Sequence, residues 1–146
     1  MITLTYDYTV LRHLFSESCA EGDVLLGKDD VPYYYKDGKF SPICGHWFWD
    51  DQYGADAFCQ ALGFTGGTLR KDEGKYQQDA VMIGMCNSFD AIDRCTGGFN
   101  SYAFPSNCRV GNNVKLLVAC DESIPGSVLS SCSGKTGKLD NNPIPP

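Results

Sequence analysis

Eight cysteines constrain this chain more than any other feature of it. They stand at positions 19, 44, 59, 86, 95, 108, 120 and 132 of 146 residues. The count is even, the spread covers most of the chain, and no CxxC pair occurs. Zinc sites draw on closely spaced ligand pairs. An even spread instead suits long-range disulfides, which small secreted domains use to supplement a modest core. We therefore expect four disulfides and no thiol left over, although spacing alone leaves the pairing open. That chemistry implies a secreted, extracellular or cell-surface location. The opening "MITLTYDYTVLRHLF" has no charged segment followed by an apolar one, so it does not read as a signal peptide. The expectation is either numbering that begins after a removed leader or a piece of a longer chain.

The length suits one domain. Twelve basic against 18 acidic residues give a net charge of −6. The densest basic run, "LRKDEGK" (residues 69–75), is interrupted by Asp72 and Glu73. A nucleic-acid partner needs a basic footprint, so that class is excluded, and polyanion binding is disfavoured on the same ground. The apolar runs are too short to span a membrane.

Along the chain, Ile2, Leu4, Tyr6, Tyr8 and Val10 alternate with Thr3, Thr5, Asp7 and Thr9. This predicts a strand with one buried face. "VPYYYKDGKFSPIC" predicts a hairpin turning at Asp37-Gly38. A short helix follows, with Ala55, Phe58, Cys59 and Leu62 at helical spacing, Asp50 or Asp51 as its cap and Gly63 as its stop. "DAVMIGMC" and "NVKLLVAC" read as strands, and "NSFDAIDRC" as a helical turn. From Ser123 the composition turns to Ser, Gly, Lys, Asn and Pro and ends "NNPIPP", which predicts an extended tail. No glycosylation sequon is present.

The densest chemistry lies in "CGHWFWDDQYGADAFCQALGF" (residues 44–64). Cys44 or Cys59 with His46 has the composition of a thiol nucleophile and its base. Oxidised sulfur has no thiolate, however, and the expected disulfides remove that chemistry. Asp50 and Asp51 are the candidate calcium ligands, but two carboxylates at a helix start also cap it and meet its dipole. Trp47, Phe48 and Trp49, with Tyr33 and Tyr35 on the hairpin, are the candidate partner-binding rings. A run of three aromatic residues is expected to turn at least one outward, where exposed Trp suits a contact surface. Burial in the core remains the other reading for each ring.

The pattern "YYYKDGKFSPIC … DAFCQALGF … GMCNSFDAIDRC … NCRVGNNVKLLVAC" resembles the scavenger receptor cysteine-rich (SRCR) domain family over residues of about 24–121. The resemblance implies an α+β fold in which a curved antiparallel sheet cradles one short helix. It implies the bonds Cys44–Cys108, Cys59–Cys120 and Cys86–Cys95. Cys19 and Cys132 lie just outside the two ends of the matched region and are expected to pair with each other. The chain then divides into an N-terminal strand and connector (1–23), the SRCR-like domain (24–121) and the tail (122–146). The family's calcium-holding Asp pair falls on Gly45 and His46 here, a second acidic pair on "VMIGM" (81–85), and a late acidic residue on Asn112 or Asn113. No cofactor is therefore expected.

Together these readings point to a secreted, non-catalytic module for protein recognition or adhesion, with a protein or copies of itself as partner. The alternative is a structural subunit of an extracellular assembly or filament. There Ile2, Leu4, Tyr6, Tyr8 and Val10 would be the assembly residues and the Pro-rich tail a second contact. No triad, phosphate loop or metal motif supports an enzyme.

Overall fold

A two-residue turn organises the first sheet of the computed structural model, which describes residues 19–95, 106–122 and 125–132. Asp37 and Gly38 both take left-handed backbone, at φ 53° and 86°. Positive φ at both central positions is the type I′ geometry, whose twist matches that of the flanking strands. The hairpin therefore closes with Lys36 opposite Lys39. It joins β2 (Pro32–Lys36) to β3 (Lys39–Pro42), and β1 (Val24–Leu26) pairs antiparallel on the other side of β2.

The helix α1 spans Tyr53–Ala61. Ala55, Phe58, Cys59 and Leu62 are each 1% exposed or less, so the expected apolar stripe is the buried one. Gly63, at φ 91°, ends it. The Phe64 N–H donates to the Cys59 carbonyl and the Gly63 N–H to the Gln60 carbonyl. This is the Schellman pattern, and it satisfies two of the carbonyls a helix end leaves open. The start differs from expectation. Gln52 holds the N-cap position without a side-chain capping bond, while Asp51 Oδ1 accepts the Tyr53 N–H at 2.9 Å. The carboxylate thus serves the first turn from one residue further out.

A second sheet pairs β4 (Gly67–Lys71) with β5 (Leu116–Cys120), antiparallel, Gly67 opposite Cys120. Among the described residues the fold is therefore α+β with two small antiparallel sheets and one helix, where a single curved sheet was expected. Strand β4 did not stand out in the sequence. Gly67 is required there because a Cβ would overlap the Cys59 sulfur and lie 2.8 Å from the Ala119 carbonyl. The run 81–85 is not a laddered strand. Val81 makes a lone parallel bridge to Ile43, and Val81, Met82 and Ile83 are all buried. A run buried on every side has no alternation to mark it as a strand.

Two polar side chains tie the halves together inside the core. Tyr76, 5% exposed, donates its hydroxyl to the Ile43 carbonyl at 2.9 Å and accepts the Leu116 N–H at 3.1 Å. Asn113, 1% exposed, accepts the Tyr76 N–H at 3.2 Å and donates to the Gln78 and Cys108 carbonyls at 2.9 and 3.0 Å. A buried polar group is tolerated when satisfied, and both of these are.

Four disulfides close the frame: Cys19–Cys132, Cys44–Cys108, Cys59–Cys120 and Cys86–Cys95. The segment 125–132, assigned from composition to the extended tail, packs on the domain. Leu26 N–H donates to the Leu129 carbonyl, Ser131 N–H to Val24, and Val128 N–H to Leu62. Its docking follows from the Cys132 bond and from the backbone groups that β1 leaves open on that edge. Residues 2–10 and 133–146 lie outside the described residues. No helix among the described residues is long and apolar enough to cross a membrane.

Candidate functional site

The aromatic run after Cys44 sends its three rings to three different places. Trp47 takes left-handed backbone at φ 70°, the Trp49 N–H donates to the Gly45 carbonyl at 3.0 Å, and the Asp50 N–H donates to Trp47 at 3.3 Å. Phe48 is driven fully into the core at 0% exposure. Trp47 and Trp49 are half-buried against it. The Trp49 indole lies over Gly45, where any Cβ would overlap the ring, and Lys71 Nζ sits 4.0 Å from the ring centroid. Gly45 is thus the floor under an indole, which is the physical reason an acid does not stand there. The His46 imidazole meets Trp47 edge-on, with centroids 5.2 Å apart.

Two of the five candidate partner-binding rings do not qualify. Phe48 and Tyr33 are 0% and 7% exposed, and a buried ring cannot meet a partner. Tyr33 packs against Gly27, and burial, with Asp29 adding to it, pushes its phenol pKa up. Tyr35 remains half-buried and stacks edge-on against Phe40 at 5.1 Å. Trp47, Trp49 and Tyr35 are the rings of the five that reach the surface in part.

The other candidate chemistry resolves locally. Cys44 and Cys59 are bonded to Cys108 and Cys120, so neither can serve as a thiolate beside His46. Asp51 is engaged at the helix start and Asp50 is exposed. Among the described residues no third ligand joins these two. Among the described residues the three-membered cluster in ligand geometry is Cys19, Asp23 and Cys132. Both sulfurs there belong to a disulfide, so the cluster offers one carboxylate and no thiolate. Tyr76 carries the largest perturbation, its pKa raised strongly by burial, and its role is the structural one given above.

Among the described residues, the most exposed large apolar side chain does not stand out in the sequence. Phe89 is 99% exposed. It sits in the ring closed by Cys86–Cys95, where the Asp90 N–H donates to the Asn87 carbonyl at 3.0 Å and the Asn87 N–H to Asp90 Oδ2 at 2.8 Å. Phe89 occupies the third position of that turn at φ 68°. Ser88 before it does not share the positive φ, so this is the type II pattern, which favours Gly or Asn where Phe89 stands. Beside Phe89 the start of α1 presents Tyr53, 37% exposed. A shallow cavity of about 70 Å³ lies between them, lined also by Asp56, Gln60 and Asp90. The sequence signal is an isolated Phe in a polar stretch between two cysteines nine positions apart.

No protein-family model matches the chain, and no curated protein matches it.

Proposed function

We propose that this chain is an extracellular, non-catalytic recognition module of SRCR type that binds a protein partner through exposed aromatic side chains. The full exposure of Phe89 beside Tyr53 carries the reading. Exposed aromatic anchors on a rigid frame are what protein contact surfaces use, because a ring brings large area at little entropic cost. The four disulfides and the helix packed on β4 and β5 support the SRCR resemblance, as does the agreement of its three implied pairings with the observed ones. No calcium is required in this reading, since Trp49 occupies the space above Gly45.

The test is binding of the labelled, oxidised protein to intact cells or extracellular matrix. Trypsin treatment of that surface should abolish binding, and enzymatic removal of polyanionic glycans should leave it. The reverse outcome would refute a protein partner.

A second reading, a structural subunit, is favoured by one observation. The Cys19–Cys132 bond holds both ends of the described domain at one point, Cα to Cα 5.6 Å. The points where the chain enters and leaves the described domain are therefore adjacent, which suits a shared contact with a neighbouring copy. Deletion of residues 1–12 should then give a folded, disulfide-bonded domain that no longer assembles in light scattering over a dilution series. Unchanged association would remove that reading.

A further inference from the structure

We propose that Phe89 and Tyr53, with the carboxylates of Asp56 and Asp90, form a docking site for an arginine side chain of a protein partner. This rests on the recognition reading above and names the chemistry its partner must present.

Phe89 is held outward by its own backbone. Its turn is closed by two hydrogen bonds inside a disulfide ring, in a left-handed conformation that a Phe does not choose by preference. Strain retained at an exposed ring points to use of the ring, since neither packing nor solubility gains from it. The adjoining cavity is about 70 Å³. That is well below the several hundred Å³ typical of small-molecule pockets, and it suits one side-chain head group.

Charge then selects the occupant. Asp56 and Asp90 line the cavity, and among the described residues no Lys, Arg or His does. Both carboxylates are fixed in place. Asp56 Oδ1 accepts the Gly67 N–H at 3.1 Å and its Oδ2 accepts Gln52 Nε2 at 3.3 Å, while Asp90 Oδ2 accepts the Asn87 N–H. A carboxylate has about four acceptor positions, so each retains capacity for a donor from outside. A cation flanked by an aromatic face gains further from the ring quadrupole. Arginine fits better than lysine, because its planar guanidinium stacks on a ring while its forked N–H groups meet carboxylates.

The site is tested by NMR on the oxidised full-length protein, titrated with the peptide acetyl-Leu-Arg-Leu-Gly-amide and with its Lys and Glu counterparts. The Arg peptide should shift the amides of Asp56, Gln60, Phe89 and Asp90 in a saturable, salt-sensitive way. The Lys peptide should bind several-fold more weakly and the Glu peptide not at all. Phe89→Gly places the residue the turn prefers, so it should keep the fold, and it should weaken the Arg peptide by about tenfold. Asp90→Asn should weaken it comparably. Absence of shifts at these residues, equal binding of the Glu peptide, or undiminished binding in both variants overturns the proposal. So does broadening of the Phe89 signal by phosphatidylcholine vesicles when the Arg peptide leaves it unmoved. Protease-sensitive surface binding that survives such a result would leave the wider recognition reading standing, whereas its loss in the native chain would remove that reading independently.

Discussion

Replacing Asn113 by Asp changes one NH₂ to an oxygen, yet the structure makes it a severe substitution. Asn113 is 1% exposed, and its amide nitrogen donates to two carbonyls, those of Gln78 and Cys108. Its oxygen faces the Tyr76 N–H, so the opposite amide orientation would oppose oxygen to two carbonyl oxygens. An ionised carboxylate in the same place would do so with a buried charge. The variant escapes by staying protonated, which retains one donor and leaves one carbonyl unmet at about 1–3 kcal/mol. Holding a carboxyl of ordinary pKa near 3.9 protonated at pH 7 costs up to about 4 kcal/mol more. The deficit of Asn113→Asp should then be about 1–3 kcal/mol at pH 3 and up to about 5–7 kcal/mol at pH 7. The sign follows from linkage. Burial raises the folded-state pKa, so stability relative to the native chain is retained below the unfolded pKa and lost as pH rises above it. Urea denaturation of both oxidised proteins across this range measures it. A deficit below about 1 kcal/mol at pH 7, or one that does not change with pH, would show that the Asn113 amide is not the buried double donor described.

Three further outcomes are expected. Stability should fall above pH 10, because burial raises the Tyr76 pKa above its unfolded value of 10.0 and the unfolded chain ionises first. The slope approaches about 1.4 kcal/mol per pH unit, and Tyr76→Phe should reduce it in denaturation profiles at the cost of two buried hydrogen bonds. Joint replacement of Cys19 and Cys132 by Ser opens a link across 113 residues, worth up to about 4.8 kcal/mol by loop-closure entropy, and hydrogen exchange at Leu26 and Ser131 should speed up with it. Gly45→Ala should push the Trp49 indole off its floor and away from Lys71, costing about 1–3 kcal/mol with a red shift in tryptophan fluorescence. An unshifted spectrum would place the ring elsewhere.

What the sequence showed depended on how local each cause was. The hairpin follows from Asp37-Gly38 and the helix from the stripe Ala55, Phe58, Cys59, Leu62 with its Gly63 stop, because neighbours within a few residues decide both. Strand β4 escaped because "GTLRK" holds a single large apolar residue, and the reason for Gly67 is a disulfide whose two cysteines are 61 positions apart. The fates of Trp47, Phe48 and Trp49 could not be separated by periodicity, since the left-handed backbone at Trp47 breaks any strand or helix count. Asn113 appeared only as a lost acid. Its two donated bonds reach carbonyls 35 residues upstream and five residues upstream, and only the first of these is beyond local reasoning. The candidate site shows the same division. Tyr53 and Asp56 lie on a helix that was expected, but their meeting with Phe89 and Asp90 depends on how a cysteine ring packs across that helix.

The cysteine ring also explains how so unfavourable a display persists. Left-handed backbone at a non-Gly residue costs about 1–2 kcal/mol, and leaving a Phe in water forgoes about 1.5–3 kcal/mol that burial would have supplied. Cys86 and Cys95 are nine positions apart, and closing so short a ring removes unfolded-state entropy worth about 2.7 kcal/mol. The gain exceeds the backbone cost and falls at the low end of the combined cost of about 2.5–5 kcal/mol, and it is confined to the same segment, so the turn can hold Phe89 outward with little demand on the packing of Phe58, Leu116 and Val118 elsewhere. A surface feature supported in this way can change its side chains while the core stays as it is. That is the property the proposed recognition role would need, since a role of that kind resides in the site and not in the fold.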